Sequence, residues 1–184
     1  MNCEYISKLT RGCAFVPCYV KNIGKVTKIY YIDGGNENLP YSMNKVLNDY
    51  FAIYEIDLKE IKSNSQRATG RKNIVPLYIK EKGVFLPVKT IKPCTRGDSC
   101  IGYVNTKYIE DINFAISSIK LNNGVELKYL DGDETIKKRM GDCSIISKKN
   151  VGKEDTSNFF LLTGKPVSKS YISNLNIKDS YKAY

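Results

Sequence analysis

Residues 116–130 read ISSIKLNNGVELKYL, and this stretch sets the fold class. Two apolar-rich runs, Ile116 to Leu121 and Val125 to Leu130, flank Asn122-Asn123-Gly124. Asn-Gly favours a type I′ turn, whose twist matches that of two antiparallel strands, so the stretch reads as a β-hairpin. The same pattern recurs toward the N-terminus. Cys13 to Val20 and Lys25 to Ile32 flank a short loop around Asn22 and Gly24, and Asp33-Gly34-Gly35-Asn36 ends the second run. Val75 to Lys80 and Val84 to Thr90 turn at Glu81-Lys82-Gly83. Pro76 and Pro87 place these two at edges or bulges, because proline gives no ladder hydrogen bond. A further strand spans Ile101 to Val104. Fourteen Tyr and six Phe suit such half-buried pleated surfaces.

Helices are fewer. From Ser42, the residues Met43, Val46, Leu47, Tyr50 and Phe51 have helical spacing, although Phe51 to Ile56 could equally be a strand. Asp57-Leu58-Lys59-Glu60 has the form of a capping box and starts a helix to about Arg67. On it Leu58 and Ile61 face the core, with Lys59, Lys62 and Gln66 outward. It runs into the basic loop Thr69-Gly70-Arg71-Lys72. A last helix runs over about 133–145, with Asp131 or Asp133 as N-cap. Its apolar stripe is Ile136, Met140 and Cys143, and Lys137, Lys138 and Arg139 lie off that stripe. The fold class is α+β, mainly antiparallel β-hairpins with two or three short helices. At 184 residues the chain reads as one domain over residues 1–149 with a Lys-, Ser- and Asn-rich tail over 150–184. Within that tail Phe159 to Leu162 is apolar enough to dock or form a strand.

The formal charge is +10, and its placement is more informative than its size. Between Lys59 and Arg96 stand ten basic residues against Glu60 and Glu81, so this stretch carries +8. Three of the five arginines, Arg67, Arg71 and Arg96, fall inside it. In a lysine-rich chain a retained arginine points to its planar fork, which grips phosphate bidentately or enters a narrow minor groove. Structural ion pairs, such as Arg96 with Asp98, are the competing explanation.

Catalysis finds little support. The chain has no histidine, which removes the commonest general base and any triad built on it. Neither GxxxxGK[ST] nor GxGxxG after a strand occurs. Asp131, Asp133 and Glu134 read as helix-capping acids, and no enzyme is expected. The cysteines pair as Cys13/Cys18 and Cys94/Cys100, with Cys3 and Cys143 apart. Those spacings are wider than most zinc knuckles, so free thiols are expected and no cofactor or metal. The N-terminus lacks the apolar core of a signal peptide, and no run of about 18 apolar residues exists. A cytoplasmic protein without a membrane partner is expected.

Three blocks in register resemble the ComK family of competence transcription factors from low-GC Gram-positive bacteria. The first ends in Ser65-Gln66-Arg67-Ala68-Thr69-Gly70-Arg71-Lys72. The second is Val84-Phe85-Leu86-Pro87, then Thr95-Arg96, then Cys100-Ile101-Gly102-Tyr103-Val104. The third is Asn123-Gly124, its second strand and the polar helix reaching Arg139. Order and spacing hold over about residues 5–143. The pattern departs at Ile61-Lys62-Ser63, where the family has Ser-Cys, and by one extra residue between Cys100 and Gly102.

The resemblance implies a transcription activator, nucleoid-associated, that binds paired boxes of AT-rich double-stranded DNA through the minor groove as a homo-oligomer. It also implies an adaptor that delivers the protein to a Clp protease. Carried over residue by residue, the DNA-binding set is Gly70, Arg71, Lys72, Thr95 and Arg96. The charge distribution adds Lys62, Arg67 and Lys92. Two rival readings remain, a general nucleic-acid or polyanion-binding module and a protein-interaction factor without sequence-specific DNA binding.

Overall fold

The computed structural model describes residues 2–95 and 97–151. Its central element is a six-stranded antiparallel sheet made of two meanders. The first comprises β1 (Gly12–Val20), β2 (Gly24–Tyr31) and β3 (Asn36–Leu39). The second comprises β4 (Leu77–Ile79), β5 (Gly83–Lys89) and β6 (Ile101–Asn105). Strand order is β3-β2-β1-β6-β5-β4, so the meanders join where β1 pairs with β6. That junction needs Gly102. A Cβ there would stand 2.9 Å from the Phe15 carbonyl and 2.7 Å from Val16 Cγ1.

Both faces of this sheet are covered, which explains why β1 and β5 are apolar along their length rather than alternating. One face holds Phe15, Ile29, Leu77, Phe85 and Tyr103 beneath three helices. These are α1 (Cys3–Thr10), α2 (Met43–Ala52) and α3 (Leu58–Thr69). Tyr50 of α2 packs on Phe15 and Phe85 with ring centroids 4.8 and 5.7 Å away. The other face holds Ala14, Leu86, Val88 and Val104 beneath a second, three-stranded sheet and α4 (Asp133–Val151). The small sheet consists of β7 (Ile109–Asn113), β8 (Ser118–Leu121) and β9 (Glu126–Lys128). A bulge at Gly12/Ala14 lets Cys13 and Ala14 point into this same core.

The architecture is α+β with antiparallel hairpins, as the sequence predicts, and four α-helices stand where two or three short ones are expected. The addition is α1, in a segment given no structure from sequence. The helix predicted over 133–145 extends to Val151, so Asn150 is helical and its side chain bonds the Ile146 carbonyl at 2.7 Å. The prediction for Phe159 to Leu162 lies outside the described residues. Among the described residues no helix is long and apolar enough to cross a membrane.

Two side-chain assignments change. Arg139, predicted to lie off the apolar stripe, is 9% exposed, with Nη1 donating to Asp131 Oδ2 at 2.6 Å and to the Pro87 carbonyl at 3.0 Å. Asp131 therefore caps no helix. Its Oδ2 also accepts the Lys89 N–H at 2.6 Å, which ties β5 to the start of α4. Pro87 sits where β5 has outrun β4, whose pairing stops at Leu77 opposite Phe85. Its missing donor leaves no gap in the ladder on that side.

Candidate nucleic-acid interface

The first basic group is built by α3 and its exit. Asp57 accepts the Lys59 N–H at 2.8 Å, a cap one residue earlier than the Glu60 position of a capping box. Gly70 ends the helix at φ 69°, a left-handed conformation that glycine adopts freely, and its N–H bonds the Gln66 carbonyl at 2.9 Å. This places Arg67 exposed in the last turn, at the negative end of the helix dipole, with its guanidinium on Asn64 Oδ1. Past Gly70 the chain turns toward α4. Arg71 Nε lies 3.0 Å from Asp142 Oδ2, and Nη2 lies 3.5 Å from Oδ1. The Asp142 side chain is 7% exposed and that of Arg71 47%, so the arginine covers the carboxylate and keeps part of itself at the surface. Lys72 is exposed, and its carbonyl accepts the Gln66 side-chain amide.

The second group lies on the loop between β5 and β6. Asp98 fastens that loop to the tip of the β1–β2 hairpin. Its carboxylate accepts from the Tyr19 hydroxyl, from the Thr95 N–H at 3.0 Å and from Lys25 Nζ at 3.2 Å. The Cys94 N–H donates in turn to the Tyr19 hydroxyl at 2.9 Å. The Tyr19 bond, then the Thr95 N–H, hold the Asp98 carboxyl well below the usual carboxylate range. Lys92 and Thr95 are exposed on this loop, and Arg96 lies outside the described residues.

The two groups meet at a cavity of about 280 Å³, lined by Lys62, Gln66 and Asn73 on one side and Ser99 on the other. Lys62, expected to face outward, is half-buried here because α2 packs alongside α3 and Met43, Asn44 and Leu47 close that flank. Burial lowers the pKa of its ammonium from the ordinary lysine value. Sequence reasoning missed Tyr19, Lys25 and Asp142, and considered Asp98 only as a partner of Arg96. Tyr19 and Asp98 are separated by 79 residues, and Arg71 and Asp142 by 71, so no local pattern joins them.

Ion pairing divides the cations. Lys8, Arg11, Lys45, Lys120, Lys128 and Lys137 each meet a carboxylate. Among the described residues 59–95, Arg71 is the one cation with a carboxylate partner. Lys82 instead lies over the Tyr54 ring, 5.6 Å from its centroid. All six cysteines are free thiols, and among the described residues no three His, Cys, Asp or Glu side chains gather as metal ligands. No protein-family model matches the chain, and neither a curated protein nor a solved structure was found to be similar to it.

Proposed function

We propose that this chain binds double-stranded DNA as a transcription regulator and prefers AT-rich duplex. The observation that carries the reading is the row of cations from Lys59 to Lys92, among which Arg71 alone has a carboxylate partner in the described residues, whereas Lys8, Arg11, Lys25, Lys45, Lys120, Lys128, Lys137 and Arg139 elsewhere are paired. Such a row gains energy by replacing the counterions of a phosphate backbone. Arg67, Arg71 and Lys72 cluster around one glycine-ended helix, a shape that suits backbone contact and insertion into a narrow groove better than readout by a helix laid in the major groove. The resemblance to the ComK family supports the same reading, with paired AT-rich boxes, a homo-oligomer on the DNA and an activating role.

The test is a titration of the full chain against AT-rich and GC-rich duplexes at two salt concentrations. AT preference that survives higher salt is expected. Arg67→Ala and Lys72→Ala should each reduce the salt slope by about one if they hold phosphates. Arg71→Ala uncovers Asp142, so it is paired with Asp142→Asn to separate folding from binding. If Arg71 enters the groove, that pair loses about 1–3 kcal/mol on AT-rich duplex. Binding blind to composition that collapses with salt would leave a general polyanion binder. Little DNA affinity at physiological salt would turn the search toward a protein partner.

A further inference from the structure

The cavity between α2, α3 and β6 joins Lys62 of the basic row to an apolar floor and a polar rim. Its floor is apolar, made of Met43, Leu47, Val75 and Tyr103, all buried. Its rim is polar, and the side chains of Asn44, Asn73 and Ser99 make no hydrogen bond among the described residues. Lys62 brings a half-buried ammonium with no carboxylate near it in the described chain. An ammonium taken partly out of water without a counter-charge is costly, and an anion in the cavity removes that cost.

The mouth of the cavity also stores strain. Ile74 has φ 50°, a conformation in which a β-branched residue is a rare outlier, and the residue is 41% exposed. Strain of this kind gathers at ligand clamps. Ile74 is held there between Asn73 on the rim and buried Val75 on the floor.

We infer that this cavity is a binding site for a small amphipathic monocarboxylate, with the carboxylate on Lys62 and the hydrocarbon body over Leu47, Val75 and Tyr103. One ammonium matches one negative charge. A phosphate dianion would keep one charge uncompensated, because Lys62 is the one cation among the described residues of the lining. A volume of about 280 Å³ lies just below the usual range of ligand pockets, about 300 to 1,000 Å³, so the ligand is a short acid rather than a nucleotide. The inference does not rest on DNA binding, although Lys62 also belongs to the basic row proposed to face the duplex. The cavity takes its ligand whether or not the surface takes a duplex.

The experiment titrates the full chain with sodium hexanoate, hexan-1-ol and inorganic phosphate, read by calorimetry and by amide NMR shifts. Saturable hexanoate binding is expected, with shifts centred on Leu47, Asn73, Ser99 and Tyr103 and weaker binding of the alcohol and of phosphate. Lys62→Met should weaken hexanoate about tenfold or more, the loss of one charge-assisted hydrogen bond. Should that variant fail to fold, Asn73→Asp serves instead. It places a second carboxylate on the exposed rim and must also weaken hexanoate. No saturable hexanoate binding, shifts away from the cavity, phosphate binding as tight as hexanoate, or unchanged affinity in the folded variant would each overturn the assignment.

Discussion

Asp131 Oδ2 accepts from Arg139 and from the Lys89 N–H, and the two side chains are 7% and 11% exposed. Breaking one side of a buried pair leaves the other charge uncompensated, so Arg139→Ala should destabilise the fold by about 3–5 kcal/mol. Adding Asp131→Asn should return part of that loss, since the remaining amide carries no charge. Urea unfolding of the two variants decides it, and an Arg139→Ala midpoint equal to wild type would deny the pair any role in stability. Asp98 acts at the surface, and its contribution depends on pH. Its folded-state pKa is depressed, chiefly by the Tyr19 hydroxyl and then by the Thr95 N–H. The stability it adds is therefore complete above the unfolded carboxylate value of about 3.9 and is lost as pH falls through the lower folded value. Carboxyl NMR should place the Asp98 midpoint below about 3.9, with the Thr95 amide still protected at pH 4. A midpoint of 4 or higher would show that the latch is not formed in solution.

At the scale of elements, α3 is bracketed by Asp57 and Gly70, and each end yields a measurable cost. Asp57→Ala removes the cap bond and should cost about 0.5–2 kcal/mol. A Cβ at Gly70 would meet nothing within 4 Å, so Gly70→Ala pays only for its φ of 69°, about 1–2 kcal/mol. Thermal unfolding reads both, and a neutral Gly70→Ala would mean that the helix ends elsewhere in solution. Asp57 was legible in the sequence because a cap acts locally, whereas the helix runs past the expected Arg67 to Thr69 and Gly70, read as part of a loop, is the residue that ends it. The hairpin over 116–130 was legible in place, although its turn differs from the type I′ expectation. Neither Asn122 nor Asn123 has positive φ, Gly124 sits at φ 84°, and the Gly124 N–H bonds the Leu121 carbonyl at 2.9 Å. That is a type I turn followed by a left-handed glycine, the usual geometry of a three-residue loop. By contrast α1 buries Leu9 alone across eight residues, too little periodicity to read. Its one local signal was Asn2, which accepts the Tyr5 N–H at 2.7 Å. The polar strand β3 exists because β2 offers it an edge, and nothing in Asn36–Leu39 announces that. Among the candidate site residues, Arg71 and Lys72 were legible from the loop that carries them. The burial of Lys62 was not, because the neighbouring α2 causes it.

For the whole molecule, the central question is whether the layers on the two faces of the six-stranded sheet unfold together, and the cysteines can answer it. Cys13 on β1 and Cys143 on α4 are buried in one core, shared by the large sheet, the small sheet and α4. Burial pushes the Cys13 thiol up to about 11 and raises Cys143 well above its ordinary value. At pH 8 neither therefore supplies much of the thiolate that alkylating reagents attack, and neither side chain is reached by solvent. Cys3 and Cys94 are exposed. Iodoacetamide with mass-spectrometric readout should modify Cys3 and Cys94 at once. Cys13 and Cys143 should react slowly and at one common rate that rises with urea as the global unfolding equilibrium does. A Cys143 rate well ahead of Cys13 would show that α4 detaches while the sheet stays intact. Because α4 carries Asp142, such a detachment would release Arg71 as well, and the basic group at the end of α3 would then be set by the docking of α4 rather than by α3 alone.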